Sequence, residues 1–221
     1  MDSKGYYSEL PIFQSSFGNV VKSPIEKLHV SITLYKDVTN RNKIVQHSVD
    51  LNTKTTVTVK ENDGNATAAS SQDCMDMINF DVVHLVLHPE MVTSTEHVTF
   101  AISRAVTNVL NQKVHSNSFA TEVVYMMGGS SSVTKCMEEL CLQPNENDDT
   151  CKAVLVVSVS KDKSFGELDK IIEGTEIPIQ ELRGMTNVEA ISKAFKCSKK
   201  ELELPGGLEA CILGRIGTKR I

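Results

Sequence analysis

The chain has 221 residues, with 28 Asp and Glu against 23 Lys and Arg, a formal net charge of −5. That balance excludes a wholly basic nucleic-acid surface and leaves room only for a local basic patch. The sequence is 40% hydrophobic, enough for a core, but it has no Trp and only 5% aromatic residues, too few for a stacking platform for single-stranded nucleic acid.

Residues 1–27 are polar with scattered aromatics and read as an irregular N-terminal arm, which leaves 28–221 as the folded domain. LHVSITLY (28–35) alternates apolar and polar, so Leu28, Val30, Ile32 and Leu34 share one face of a half-buried strand. Residues 43–51 match neither a helical nor a strand period. Residues 52–76, NTKTTVTVKENDGNATAASSQDCMD, are rich in Thr, Asn, Ser, Asp and Ala and read as a disordered insertion, with TTVTV as a candidate edge strand. VVHLVL (82–87) is a buried strand that Pro89 ends. Ser94 then caps a helix, STEHVTFAISRAVTNVLNQ, with Glu96 in its first turn and one apolar stripe of Val98, Ile102, Ala105 and Val109.

Further along, TEVVYMM reads as a strand and SSSVTKCMEELCL as a helix with Val133, Met137 and Leu140 inward. PNENDDT (144–150) is a polar loop. AVLVVSVS (153–160) is a near-continuous apolar run expected at the centre of a sheet. FGELDKIIEG is a short helix that stops at Gly174, EIPIQEL a short strand, and TNVEAISKAF a helix capped by Thr186 or Asn187. PGGLEACILGRI is the last helix. This order predicts one layered α/β domain of the mixed α+β kind, with a mixed central sheet and helices packed around it.

Several stretches invite a chemical reading. Gly128-Gly129-Ser130-Ser131-Ser132 has the composition of a phosphate loop, and a small α/β enzyme using Gly128–Ser132 in that way is one alternative. A Walker A loop needs a Lys just after its second Gly, and here serines follow; there is no GxGxxG and no terminal Gly for a nucleophile elbow. The simpler reading is a strand-to-helix turn. His84 and His88 are four apart on a strand, which gives them no shared face, and Cys136 and Cys141 lack a partner His at ligand spacing. We expect no catalytic residue, no cofactor and no metal. The six Cys form no CxxC pair and no apolar leader follows Met1, so reduced thiols and a cytoplasmic and nuclear location are expected. No apolar run reaches the roughly 20 residues that a membrane helix needs.

On a wheel at about 100° per residue, His97, Phe100, Arg104 and Asn111 fall nearly opposite the apolar stripe of the 94–112 helix. An aromatic and an Arg on a face that should be wet have the composition of an interface core. His97, Phe100 and Arg104 are therefore the candidate partner or tRNA surface. Cover by a second layer is the competing reading for Phe100, and a hydrogen-bonded structural role the favoured one for His97.

VTSTEHVTFAISRAV, SFATEVVYMMGGSSSVTKCMEELCL and IEGTEIPIQELRGMTNVEAISKAFKCS, in this order and spacing, together with the opening LYKDVTN, carry a resemblance. They look like the TPRKB family, the PRPK-binding subunit of the KEOPS (EKC) complex, over about residues 28–51 and 77–216. The resemblance implies an accessory protein that binds the PRPK-type kinase-like ATPase of KEOPS and meets the other subunits indirectly. It also implies support for N6-threonylcarbamoyladenosine modification of tRNA, through recruitment that involves the 3′ CCA end. A kinase-binding adaptor without tRNA binding is the alternative within the same family.

Overall fold

The computed structural model describes residues 5–11, 27–55, 80–144, 152–165 and 168–219. Its centre is an antiparallel sheet made of β1 (Tyr6–Pro11), β2 (Lys27–Lys36), β3 (Val82–Leu87), β4 (Val154–Ser160) and β5 (Thr175–Ile177), in the order β1-β2-β4-β3 with β5 also on β2. The register sets Val30 opposite Val159 and Ile32 opposite Val157. β1 covers the first half of the free edge of β2 and β5 the second half. Residues 6–11 are thus a strand and not irregular arm; the edge of β2 supplies the hydrogen bonds that organise them. Residues 12–26 lie outside the described residues.

Alternation sorts the strand side chains onto two faces. Leu28, Val30, Ile32, Leu34, Val83, Leu85, Leu155 and Val157 belong to the larger core cluster. Against it pack α2 (Thr95–Leu110), α3 (Phe119–Met127) and α4 (Val133–Leu140), each introduced by a serine, Ser94, Ser118 or Ser132, whose hydroxyl accepts the backbone N–H three residues on. The opposite face carries Tyr35, Val86, Val154 and Val156, covered by α1 (Arg41–Thr55) and α5 (Leu168–Ile171). β4 lies between β2 and β3, and all seven of its residues are buried, which accounts for its continuous apolar run.

Residues 43–51 turn out to be helical, and α1 continues through Thr55, into the stretch read as an insertion. The remainder, 56–76, including most of TTVTV, lies outside the described residues, as do 145–150 of the polar loop. The α1 residue Asn52 protects the outer edge of β3: its Nδ2 donates to His84 O at 2.7 Å and its Oδ1 accepts from His84 N at 3.0 Å. After β5 come a 3-10 turn (Ile179–Glu181), α6 (Leu182–Met185), α7 (Val188–Ala194), α8 (Lys199–Leu202) and α9 (Gly207–Thr218). Asn187 caps α7 by accepting from Ala190 N. Gly206 at φ 81° makes the left-handed turn into α9, a conformation natural to glycine. No helix among the described residues is long and apolar enough to cross a membrane.

The one reversed element is TEVVYMM. It belongs to α3, in which eight of nine residues are buried. A helix buried on all sides shows no apolar period, and a short apolar run with β-branched and aromatic residues then imitates a strand. Gly128–Ser132 is accordingly a helix-to-helix turn.

Candidate functional site

The region that carries the candidate residues is the seam where α2 and α3 meet the C-terminal helices. Ile191, Phe195, Ile212 and Ile216 form a small core of their own between α7 and α9. Phe195 turns the edge of its ring to His97, with centroids 5.8 Å apart and planes at 75°. His97 is fully buried. Its Nε2 donates to Met127 O at 2.9 Å, the last residue of α3, and its Nδ1 accepts the Thr93 N–H at 3.5 Å. Both nitrogens are used by a neutral ring, and burial pushes its pKa down to about 4 against a weaker opposing pull from the Met127 carbonyl.

His97 is therefore not part of a surface, which corrects its place in the proposed trio. The wheel set it opposite the main stripe, and that side is covered too, by α7 and α9. The structural role is the one it fills. Phe100 and Arg104 keep partial exposure. Phe100 is 38% exposed, and Gly217 of α9 lies beside its ring: a Cβ at 217 would stand 3.6 Å from Phe100 Cζ. Arg104, one turn on, is half-buried, and its Nε is buried without a hydrogen-bond partner. An aromatic ring and an incompletely satisfied guanidinium thus sit together beside α9.

The Gly128–Ser132 turn is packed shut. A Cβ on Gly129 would stand 2.3 Å from Ala194 O, and one on Gly128 would stand 2.3 Å from Cys136 Sγ. The glycines let α7 and α4 approach the turn, and no open cradle of N–H groups faces a phosphate. Ser130 Oγ and Ser132 Oγ accept from Ser132 N and Lys135 N, so they are occupied within the turn. The Lys135 ammonium pairs with Glu139 at 3.6 Å. What approaches is a cation at the carbonyl end of α3. Lys219 Nζ donates to Tyr125 O and, at 2.9 Å, to Gly128 O, and it lies 3.8 Å from the centroid of the Tyr125 ring. His97 and Lys219 together satisfy the last carbonyls of α3 and hold α9 across it.

Glu122 is a residue whose role sequence reasoning missed. It is fully buried. Its Oε1 accepts from Asn108 Nδ2 at 2.8 Å, and its Oε2 accepts from His115 N at 2.9 Å and Ser116 Oγ at 3.1 Å. One carboxylate thereby ties α2, the 111–118 connection and α3 together. The available signal was Ser118 followed by a Glu in the first helical turn, a start signal for a helix and not for a strand. Of the other candidates, His84 is buried with Nδ1 on Ser158 Oγ at 2.8 Å, on the face opposite α2 and α3. Among the described residues no three His, Cys, Asp or Glu are grouped to hold a metal.

Two buried neutral histidines make stability depend on pH. Burial depresses His84 and His97 from 6.5 to about 4 each. Above pH 6.5 neither state binds a proton; below it the unfolded chain does and the folded chain does not. Stability is thus complete above pH 6.5 and falls through the window down to about pH 4, at roughly 1.4 kcal/mol per pH unit for each histidine. Urea unfolding at pH 7 and pH 5 should show this loss, and His97→Gln should flatten the slope by about half.

The seam lies within a stretch with known relatives. A family model described as "Kinase binding protein CGI-121" matches residues 35–220. The chain is 26% identical over 126 residues to the EKC/KEOPS complex subunit cgi121 of Aspergillus terreus, covering 53% of this chain and 62% of that protein. It is 26% identical over 124 residues to the protein of the same name from Aspergillus fumigatus, covering 53% and 64%. With EKC/KEOPS complex subunit CGI121 of Yarrowia lipolytica it shares 24% identity over 112 residues, covering 50% and 61%. The chain spans a little over three fifths of the length of these curated relatives. The family match runs from the end of β2 through α9 and takes in every residue of the seam, so the resemblance to the TPRKB family holds and the chain belongs to the CGI-121 family of kinase-binding proteins.

Proposed function

We propose that this chain is a non-catalytic subunit of a KEOPS/EKC assembly that binds the assembly's PRPK-type kinase-like ATPase. The observation that carries the reading is the family match over residues 35–220, supported by relatives named as EKC/KEOPS subunits. We assign the contact to Phe100 and Arg104 beside α9. The ring supplies an aromatic anchor and the guanidinium a donor that lacks an acceptor within the chain, the pairing enriched at interface centres. A pull-down with the cognate kinase should recover a stoichiometric complex. Phe100→Ala should weaken that binding about tenfold or more while leaving the melting temperature nearly unchanged. A sharp drop in melting temperature with unaltered affinity would instead put the ring in the core.

In its finer form the proposal assigns this subunit a part in tRNA N6-threonylcarbamoyladenosine modification, through recruitment of tRNA by its 3′ CCA end. The family resemblance supports this; the net charge of −5 favours a second reading, an adaptor that binds kinase and not tRNA. Binding measured across a salt series, with tRNA that has or lacks the CCA end, separates the two. CCA-dependent affinity supports recruitment, and its absence supports the adaptor.

A further inference from the structure

Cys197 and Cys211 face each other across the C-terminal seam. Cys197 follows α7, after a turn in which Lys196 takes φ 53° and Cys197 N donates to Ser192 O at 2.8 Å. Its side chain packs on the cluster of Ile191, Phe195, Ile212 and Ile216. The Cys211 thiol, on α9, is in hydrogen-bonding contact with it. One turn beyond Cys211, Arg215 donates from Nε to Phe195 O at 2.5 Å and from Nη2 to Lys196 O at 3.0 Å and Glu201 Oε1 at 3.1 Å. The backbone leading into Cys197 is thus clamped to the face of α9 that carries Cys211. Both thiols are partly exposed, whereas Cys136 and Cys141 are buried.

We propose that Cys197 and Cys211 form an oxidative modification site that closes into an intrachain disulfide, tying α9 to the α7–α8 connection. The co-reactant is a small disulfide of the oxidised-glutathione class. One cysteine thiolate attacks a sulfur of that disulfide, forming a mixed disulfide and expelling one glutathione thiolate. The second cysteine thiolate then attacks the protein sulfur of the mixed disulfide and expels the other. Two thiol protons pass to two glutathione thiolates, the protein loses two electrons, and the small disulfide gains them. Burial and the neighbouring thiol push Cys197 up to about 11, with Arg215 opposing and Glu201 reinforcing the shift, so closure is slow at neutral pH and is best assayed above pH 8. The inference stands apart from the kinase-binding reading.

The full chain, incubated with oxidised glutathione, quenched in acid, alkylated and mapped by mass spectrometry, should yield the Cys197–Cys211 linked peptide as the main oxidised species, reversed by dithiothreitol. Oxidation should raise the melting temperature by several degrees. Cys211→Ser should leave Cys197 as a stable glutathione adduct. If a variant fails to fold, the peptide map of the unaltered chain decides by itself. Alkylation of both thiols after oxidation, or linkage of either to Cys74, Cys136, Cys141 or Cys151, overturns the proposal.

Discussion

Gly129→Ala should lower the melting temperature more than any other single-methyl change in this protein. The added Cβ would stand 2.3 Å from Ala194 O, 2.6 Å from Ala194 C and 2.9 Å from Phe195 Cα. All three are backbone atoms, so no rotamer change relieves the clash. The turn must move away from the end of α7, and Phe195 then leaves its contact with His97. Overpacking of this kind costs about 1–3 kcal/mol, and more where the backbone cannot yield. In a domain of this size that is a drop of roughly 5–10 °C by thermal circular dichroism. Gly214→Ala is the control. It lies inside α9 with nothing within 4 Å of the new Cβ, so it should be neutral or stabilising by about 0.5–1 kcal/mol. Equal melting temperatures for the two variants would mean that α7 does not press on the turn.

The second large effect is expected at Glu122. Glu122→Ala removes the acceptor shared by Asn108 Nδ2, His115 N and Ser116 Oγ at a fully buried position. Each donor left dry costs on the order of 1–3 kcal/mol, and losing the hub should cost about 3 kcal/mol or more in urea unfolding. The connection at 111–118 should become sensitive to protease. Glu122→Gln keeps the shape and one acceptor, and should lose only about 1 kcal/mol. Indistinguishable stabilities for the Ala and Gln variants would show that the carboxylate does not organise the connection.

These two positions also show how much of the site was legible beforehand. Gly128–Gly129 stood out in the sequence, and the missing Lys argued against phosphate chemistry. The use of the glycines depends on Ala194 and Cys136, distant in sequence and adjacent only after folding. Glu122 was visible as part of a family-like stretch, but its partners come from the end of α2 and the following connection. Phe100 and Arg104 emerged from the helical wheel and keep partial exposure. His97, on the same wheel, is fully enclosed, because a wheel describes one helix and says nothing about how many layers will cover it.

Local physical chemistry determined most of the elements. The alternation in LHVSITLY, the apolar run of AVLVVSVS, and the caps at Ser94, Ser132 and Asn187 are properties of short segments and survive without knowledge of neighbours. The order and spacing of those segments also sufficed to indicate the family. Tertiary structure decided the rest. It made 119–127 a helix, since a run buried on every side carries no period that would separate helix from strand. It made 6–11 a strand, since an edge strand is defined by the partner it pairs with. And it chose which face of α2 meets α9 and which stays open, because the covering helices lie 90 or more residues away along the chain and only their packing fixes where they land.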